Sequence, residues 1–383
     1  MTQQEYVSRK KELINHSSKA FNLANDDKLN RTLNFVSANL LNFIPSLPVE
    51  KHEDTFKKIF VHQKLSVLDE QHIDVLDQHV KVEGMENETL DYLRNNAAII
   101  CTFHMGSSRL INHYLAKNKI NLTLVLSDFS MKANGGWFNK MYEGYKKLAG
   151  FQEDRISIIS VDEPNAVRKM LAELKNGRKL LIYIDGNSGS GNKNIKNENS
   201  CEIDFLEESI YARAGVAYLS YLAQVPIIEA VSYRKNWEDI ILKFNKVIEP
   251  NKNIDRETYF KTTTQGIYKR FSEVLLQHPE QWEGWLNLHE VINPQTFKKT
   301  EPVNHESTVR QEGRFRLNKL NFGVFNIDSD CFLFDKKKYV SYKIPEPIYT
   351  KLLHSDIHPV EKTQHESDNF LIQLISNGVL SNS

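Results

Sequence analysis

Residues 97–117, AAIICTFHMGSSRLINHYLAK, decide how the rest of the chain is read. Residues 97–103 are a short apolar run with β-branched side chains, a strand signal. Ser107 and Ser108 are good N-caps for the amphipathic segment after them, where Leu110, Ile111, Tyr114 and Leu115 recur at helical spacing. The stretch therefore reads as strand, tight turn and helix, with the turn at the carboxyl end of the strand, where open α/β sheets place their ligands. His104 and Gly106 occupy that turn. An imidazole titrates near neutral pH, a glycine lets backbone approach a ligand, and the amides of a helix N-terminus, with Ser107 and Ser108 beside them, can hold an oxyanion.

The 383 residues are enough for two or three domains, and 49 basic against 49 acidic side chains leave a formal net charge of zero. Such a balance gives no global attraction to nucleic acid or to an anionic membrane, so no nucleic-acid partner is expected. Cys101, Cys201 and Cys331 lie far apart, without a CxxC pair or a histidine cluster, so neither a disulfide framework nor a metal site is indicated and a cytoplasmic protein is expected. No apolar run reaches the roughly 18 to 20 residues of a membrane span, and no transmembrane segment is expected.

Outward from the central stretch, residues 3–78 look helical, and residues 1–84 are read as an N-terminal helical region. Leu41, Phe43 and Ile44 are read as packing on the main domain rather than touching a membrane, because their flanks lack the basic cluster of a membrane-surface helix. After Gly84 strands and helices alternate: strands at 97–103, 122–126, 156–161, 180–184, 227–232 and 240–244, and helices at 136–148, 165–175 and 214–223. This predicts an α/β domain over 85–294, a largely parallel sheet flanked by helices. Asp128 and Asp185 follow two of the strands, and Gly186 and Asn187 open a Gly/Asn/Ser-rich stretch, 186–200, read as a loop or lid on the ligand side. The tryptophans of HPEQWEGW, from His278, are read as packing. Residues 295–318 read as a polar linker. Residues 319–383 form a small winged-helix-like α+β module of three short strands and two or three helices.

Four cues, in order, resemble the late lipid A acyltransferases, the HtrB/LpxL branch of the lysophospholipid acyltransferase-like superfamily. They are HMGSSR from His104, KMLAELKNGRKLLIYIDGN from Lys169, FLEESIYARAGVAYLSYLAQVPIIEAVSYR from Phe205, and HPEQWEGW. The resemblance implies that His104 is a general base acting on a hydroxyl or amine that attacks a thioester, with acyl-CoA or acyl carrier protein as co-substrate and no bound cofactor. Arg109 stands where that family has an acid, and a guanidinium cannot accept the imidazole N–H. Asp128 or Asp185 is then expected to take over that role, and Arg109 to bind an anionic group and favour the neutral imidazole. Gly106, Ser107, Ser108, Asp128, Gly186 and Asn187 are the expected substrate-binding positions. The family's membrane-anchoring N-terminal helix has no counterpart here, which argues against lipid A as the acceptor. Cys101, three residues before His104 within a strand, is an alternative acyl-carrying nucleophile that strand geometry assigns instead to the core.

NFGVFNIDSDCFLFDKKKYVSYKIPEPIYTKLL from Asn321 and FLIQLISNGVL from Phe370 resemble the PqqD-like peptide-recognition domain of enzymes that mature ribosomally made peptides. That resemblance implies a precursor leader peptide as partner, added as a strand along Tyr339, Val340, Ser341, Tyr342 and Lys343, with Lys336, Lys337 and Lys338 suited to an acidic leader. The resulting expectation is an acyltransferase acting on a recruited precursor peptide. Alternatives are a small amphiphilic acceptor, with the C-terminal module serving dimerisation, or a catalytically dead binding protein.

Overall fold

A computed structural model describes residues 2–19, 26–76, 79–128, 143–144, 156–186, 200–293, 313–362 and 369–382. Asn187, the rest of the Gly/Asn/Ser stretch up to residue 199, and nearly all of the helix expected at 136–148 lie outside them. The chain begins with helices α1 (Gln3–Lys19), α2 (Asp27–Phe43), α3 (His52–Gln71) and the single turn α4 (Ile73–Leu76), followed by β1 (Val80–Glu83) and α5 (Asn87–Asn95). The central stretch gives β2 (Ala98–Thr102) and α6 (Leu110–Lys117). Then come β3 (Leu122–Leu126), β4 (Ile156–Ser160), α7 (Ala166–Lys175), β5 (Lys179–Tyr183), the hairpin β6 (Ser200–Phe205) and β7 (Glu208–Arg213), α8 (Gly215–Ala223), β8 (Ile227–Arg234), β9 (Ile240–Phe244) and α9 (Arg256–Leu275). The C-terminal part holds β10 (Gly313–Leu317), β11 (Phe322–Ile327), β12 (Asp330–Asp335), β13 (Val340–Ile344), α10 (Glu346–Leu353), β14 (Val360–Lys362), α11 (Asn369–Ser376) and β15 (Leu380–Asn382).

Two compact units result: residues Met1–Lys19 with Lys57–Ile292, and residues Ala20–Phe56 with Asn293–Ser383. The helices read as one N-terminal region are thus divided between them, the division falling within α3.

The larger unit is built on a seven-stranded sheet of order β1-β9-β8-β2-β5-β3-β4. Every neighbouring pair is parallel except β8 and β9, as the alternation of strands and helices requires. β2 lies between β8 and β5 and is buried along its whole length, which is why it reads as unbroken apolar residues rather than an alternation. On one face Ile100, Ile228 and Ala230 pack with Leu65 and Leu68 of α3 and with Leu110, Ile111 and Leu115 of α6. On the other, Phe103 stacks on Phe271 of α9 with ring centroids 3.7 Å apart.

The antiparallel hairpin of β6 and β7 has no counterpart in the sequence reading. Its turn passes through Leu206 at φ +57°, a left-handed conformation that favours glycine, so no turn residue marks it.

The smaller unit has two three-stranded antiparallel sheets, β11-β12-β13 and β14-β10-β15. Among the described residues, five strands therefore stand within 319–383 where three were expected, and a sixth, Gly313–Leu317 from the end of the polar stretch read as a linker, forms the middle strand of the second sheet. α2 belongs to this unit: Phe35 and Ala38 pack on Phe325, Phe332, Phe334 and Tyr339 of the hairpin sheet. The approach is so close that a Cβ at Gly323 would displace the Asn34 side chain, which donates to Val324 O. Phe43 and Ile44 at the end of α2 are buried, but they belong to this smaller unit and not to the main domain on which they were expected to pack.

Candidate active site

The turn after β2 is set by its contacts with the HPEQWEGW segment and with β8. Gly106 adopts φ +56°, and a Cβ there would lie 2.8 Å from both Ser232 O and Tyr233 Cα. The missing side chain thus makes room for the β8 backbone. Gly106 N–H donates to Gln281 O (3.0 Å), Glu283 N–H donates to His104 O (3.0 Å), and Met105 and Trp282 form an antiparallel bridge. Gln281 also clamps the end of β8, its side-chain oxygen accepting Arg234 N–H (2.7 Å) and its amide donating to Arg234 O (2.8 Å).

His104 emerges from this frame 40 % exposed, while the Asp185 side chain beside it is only 4 % exposed. Asp185 Oδ1 lies 2.8 Å from His104 Nδ1, and Oδ2 accepts the His104 backbone N–H at 2.9 Å and Trp282 Nε1–H at 2.7 Å. With the carboxylate on Nδ1, the proton sits there and Nε2 keeps its lone pair. Burial disfavours the imidazolium, but the charge and hydrogen bond of Asp185 outweigh it and hold the His104 pKa above the ordinary value; Arg109 acts in the opposite direction. Of the two carboxylates expected to replace the missing acid, Asp185 is the one at His104. Asp128 lies at the end of β3, two strands away, where it accepts from Ser160 and its N–H donates to Asp162 Oδ2 (2.8 Å).

Arg109 faces Glu70 of α3, with 3.2 Å between Nη1 and Oε2. The two serines do not cap α6 with their side chains: Arg109 is the N-cap residue and makes no side-chain cap bond. The helix amides expected to hold an oxyanion are engaged, Leu110, Ile111 and Asn112 N–H donating to the carbonyls of Ser107, Ser108 and Arg109. Ser107 instead enters a buried network absent from the sequence reading. Its hydroxyl donates to Asp69 and accepts from Arg234 Nη2 (2.9 Å), Arg234 pairs with Asp69, and Tyr6 OH donates to Asp69 Oδ1 (2.7 Å). Asp69 and Arg234 are almost fully buried, so this pair lies beneath the turn, out of reach of substrate. Ser108 is buried, and its carbonyl accepts from Tyr183 OH at 3.4 Å.

A cavity of about 190 Å³ opens at His104. Its wall is aliphatic, with Val125, Leu126, Val161, Met170, Ile182 and Leu219, and Tyr183, Gly186 and Arg213 also line it. Tyr183 lies against the His104 ring at 4.5 Å between centroids. Cys101 is fully buried in β2 and burial pushes its thiol pKa well up, so it is not a thiolate.

In the smaller unit, Val340, Ser341, Tyr342 and Lys343 are exposed along β13, which pairs with β12 alone among the described residues. Tyr339 differs from them: it precedes the strand, and its hydroxyl donates to Asn39 Oδ1 of α2 at 2.9 Å. No helix among the described residues is long and apolar enough to cross a membrane.

Arg234 and Gln281 stand inside stretches that carry the family resemblance but are not distinguished there by any local pattern, and Trp282, read as a packing residue, also donates to Asp185. Asp69 and Glu70, in the unremarkable helical run LDEQ, carried no signal. A search of curated proteins found no match to the chain. A family model described as bacterial lipid A biosynthesis acyltransferase matches residues 59–289, more than half of the chain and the whole of the site around His104. The chain belongs to the bacterial lipid A biosynthesis acyltransferase family, and acyl transfer is its class of chemistry.

Proposed function

We propose that this acyltransferase uses His104 as general base and a thioester of coenzyme A or acyl carrier protein as donor, and that its acceptor is a ribosomally made precursor peptide. The observation that carries the catalytic half is the His104–Asp185 contact at the mouth of an aliphatic cavity. The acyl chain lies in that cavity, where burying each methylene is worth about 0.8 kcal/mol. Nε2 removes the proton of the attacking hydroxyl or amine, and the new C–O or C–N bond forms at the thioester carbonyl. The tetrahedral intermediate collapses with cleavage of the C–S bond, and His104 returns the proton to the departing sulfur. Asp185 fixes the tautomer and stabilises the imidazolium between these steps. With that orienting acid in place, the loss of the family's acid at Arg109 does not argue for a dead enzyme.

The acceptor half is supported by the outer edge of β13, with which no other described strand pairs. The opposite edge of that sheet, β11, is occupied: Val324 O accepts from Asn30 Nδ2 (2.9 Å) and Asn34 Nδ2 (3.2 Å) of α2. An extended peptide adding to the sheet therefore has β13 to pair with, main-chain hydrogen bonds giving affinity and Tyr342 and Val340 giving side-chain contacts. The test is intact-mass analysis of short precursor peptides incubated with the whole chain and acyl-CoA donors of increasing length. A mass gain equal to the acyl group, absent without enzyme, supports the reading. Donor cleavage at the same rate with and without every peptide, with no acylated product, contradicts its acceptor half.

A further inference from the structure

The three lysines at 336–338 separate into different environments. Lys338 reaches the Asp335 carboxylate at 3.4 Å, whereas Lys336 is 6 % exposed and points its ammonium into the protein. Its place is fixed from both sides by main-chain bonds: Lys336 N–H donates to Asn321 O (2.9 Å), and Lys336 O accepts Asn42 Nδ2–H (2.8 Å). The ammonium donates to Lys319 O at 2.8 Å and makes no ion pair among the described residues. Burial, and then the charge of Lys319, lower its pKa to about 8, so it remains largely charged at neutral pH.

Lys336 lines a cavity of about 260 Å³ together with Asn34, Ser37, His52 and Lys319. Nothing on this wall neutralises it. Lys319 is itself cationic and pairs with Asp356, while burial pushes His52 down to about 4, leaving a neutral imidazole 3.0 Å from Ser37 Oγ. Glu53, at the exposed rim of the same cavity, makes no ion pair with Lys336. A buried charge without a counter-ion is costly, and its two remaining N–H groups need acceptors.

We propose that this cavity is a binding site for a single carboxylate, which pairs with the Lys336 ammonium and takes further hydrogen bonds from the polar wall. With the Lys319 charge already paired to Asp356, the one ammonium left without a counter-ion matches a monoanion better than a doubly charged phosphate. The same carboxylate could be delivered by a small free acid or by an acidic side chain of a peptide, and the two sources are separable. The site belongs to the smaller unit and does not depend on the chemistry at His104.

The whole chain is titrated by calorimetry and thermal unfolding, at constant ionic strength and pH 7, with acetate, with inorganic phosphate and with a blocked pentapeptide carrying one central glutamate. Lys336→Met, which keeps the length and packing of the side chain, is the paired variant, and circular dichroism confirms that it folds. Saturable binding of acetate or of the glutamate peptide, weakened about ten-fold or more in Lys336→Met, is the expected result; whichever binds tighter identifies the source. Phosphate binding tighter than both, equal binding by the variant, or no saturable binding by either carboxylate overturns the assignment.

Discussion

Trp282 and Asp185 lie 97 residues apart in the chain and share a 2.7 Å hydrogen bond from the indole N–H to the carboxylate Oδ2. That bond, with the His104 backbone N–H on the same oxygen, leaves Oδ1 aimed at the imidazole. Trp282 is therefore both a packing residue, edge-on to Phe271 and Trp285, and a support for the acid. Trp282→Phe keeps the ring and removes the donor. Turnover is expected to fall about 10- to 100-fold with the fold intact, measured by thiol release from acyl-CoA alongside the unfolding temperature.

The pH dependence of kcat/KM follows from the same contacts. A general base at His104 must be neutral to accept a proton, so activity is expected to rise with pH through its pKa, which Asp185 holds above the ordinary imidazole value. Asp185→Asn removes the charge that raises it, and the acid limb of the profile should move to lower pH while the plateau drops. Arg109→Gln removes a cation that lowers it, so the limb should move to higher pH. Arg109→Asp is not expected to restore a family-like pair, because Nδ1 is already taken by Asp185 and the new carboxylate would face Glu70. Rate profiles of the three variants check these signs.

The buried Asp69–Arg234 pair predicts a stability effect without direct contact with substrate. Asp69→Ala leaves the guanidinium unpaired and is expected to cost about 3 to 5 kcal/mol. Tyr6→Phe, which removes one hydrogen bond to the same carboxylate, is expected to cost about 1 kcal/mol. Urea unfolding of both variants measures the difference.

Glu229, buried in β8 and paired with Arg270 Nε at 2.7 Å, carries a pKa that burial pushes up to about 7. A carboxyl whose folded pKa exceeds its unfolded value adds stability that is complete below the unfolded pKa and is lost as pH rises through the folded one. Stability should accordingly decline between about pH 4.5 and 7 by roughly 1 to 3 kcal/mol from this group. Glu229→Gln should remove that slope, as read from denaturant midpoints at pH 5 and pH 8.

The sheet was legible in the sequence because its strands are buried on both faces and bounded by turn residues: β3 and β9 fall where the apolar runs 122–126 and 240–244 place them. His104 was legible because it ends such a run. Its partner was legible only as one of two aspartates, since strand order in space, which brings β5 beside β2 and leaves β3 beyond it, is not written in any local pattern. The network of Asp69, Ser107 and Arg234 was hidden for the same reason, three polar residues from distant segments meeting only in the folded chain.

The C-terminal module gives a further case. Its polar upstream stretch suggests a piece that folds alone from residue 313, yet Phe325 and Phe334 are covered by Phe35 and Ala38 of α2. A fragment of residues 313–383 is expected to lack fixed tertiary structure, and adding a peptide of residues 26–56 to restore it. Amide chemical-shift dispersion of the fragment with and without that peptide distinguishes the outcomes.

The most direct test of the account is single-turnover consumption of an acyl thioester by His104→Ala beside the unmodified chain, with circular dichroism of both. Removing the general base should slow the reaction about 100- to 10,000-fold while the spectrum stays unchanged. A correctly folded His104→Ala that consumes the thioester at the unmodified rate contradicts the assignment of the base.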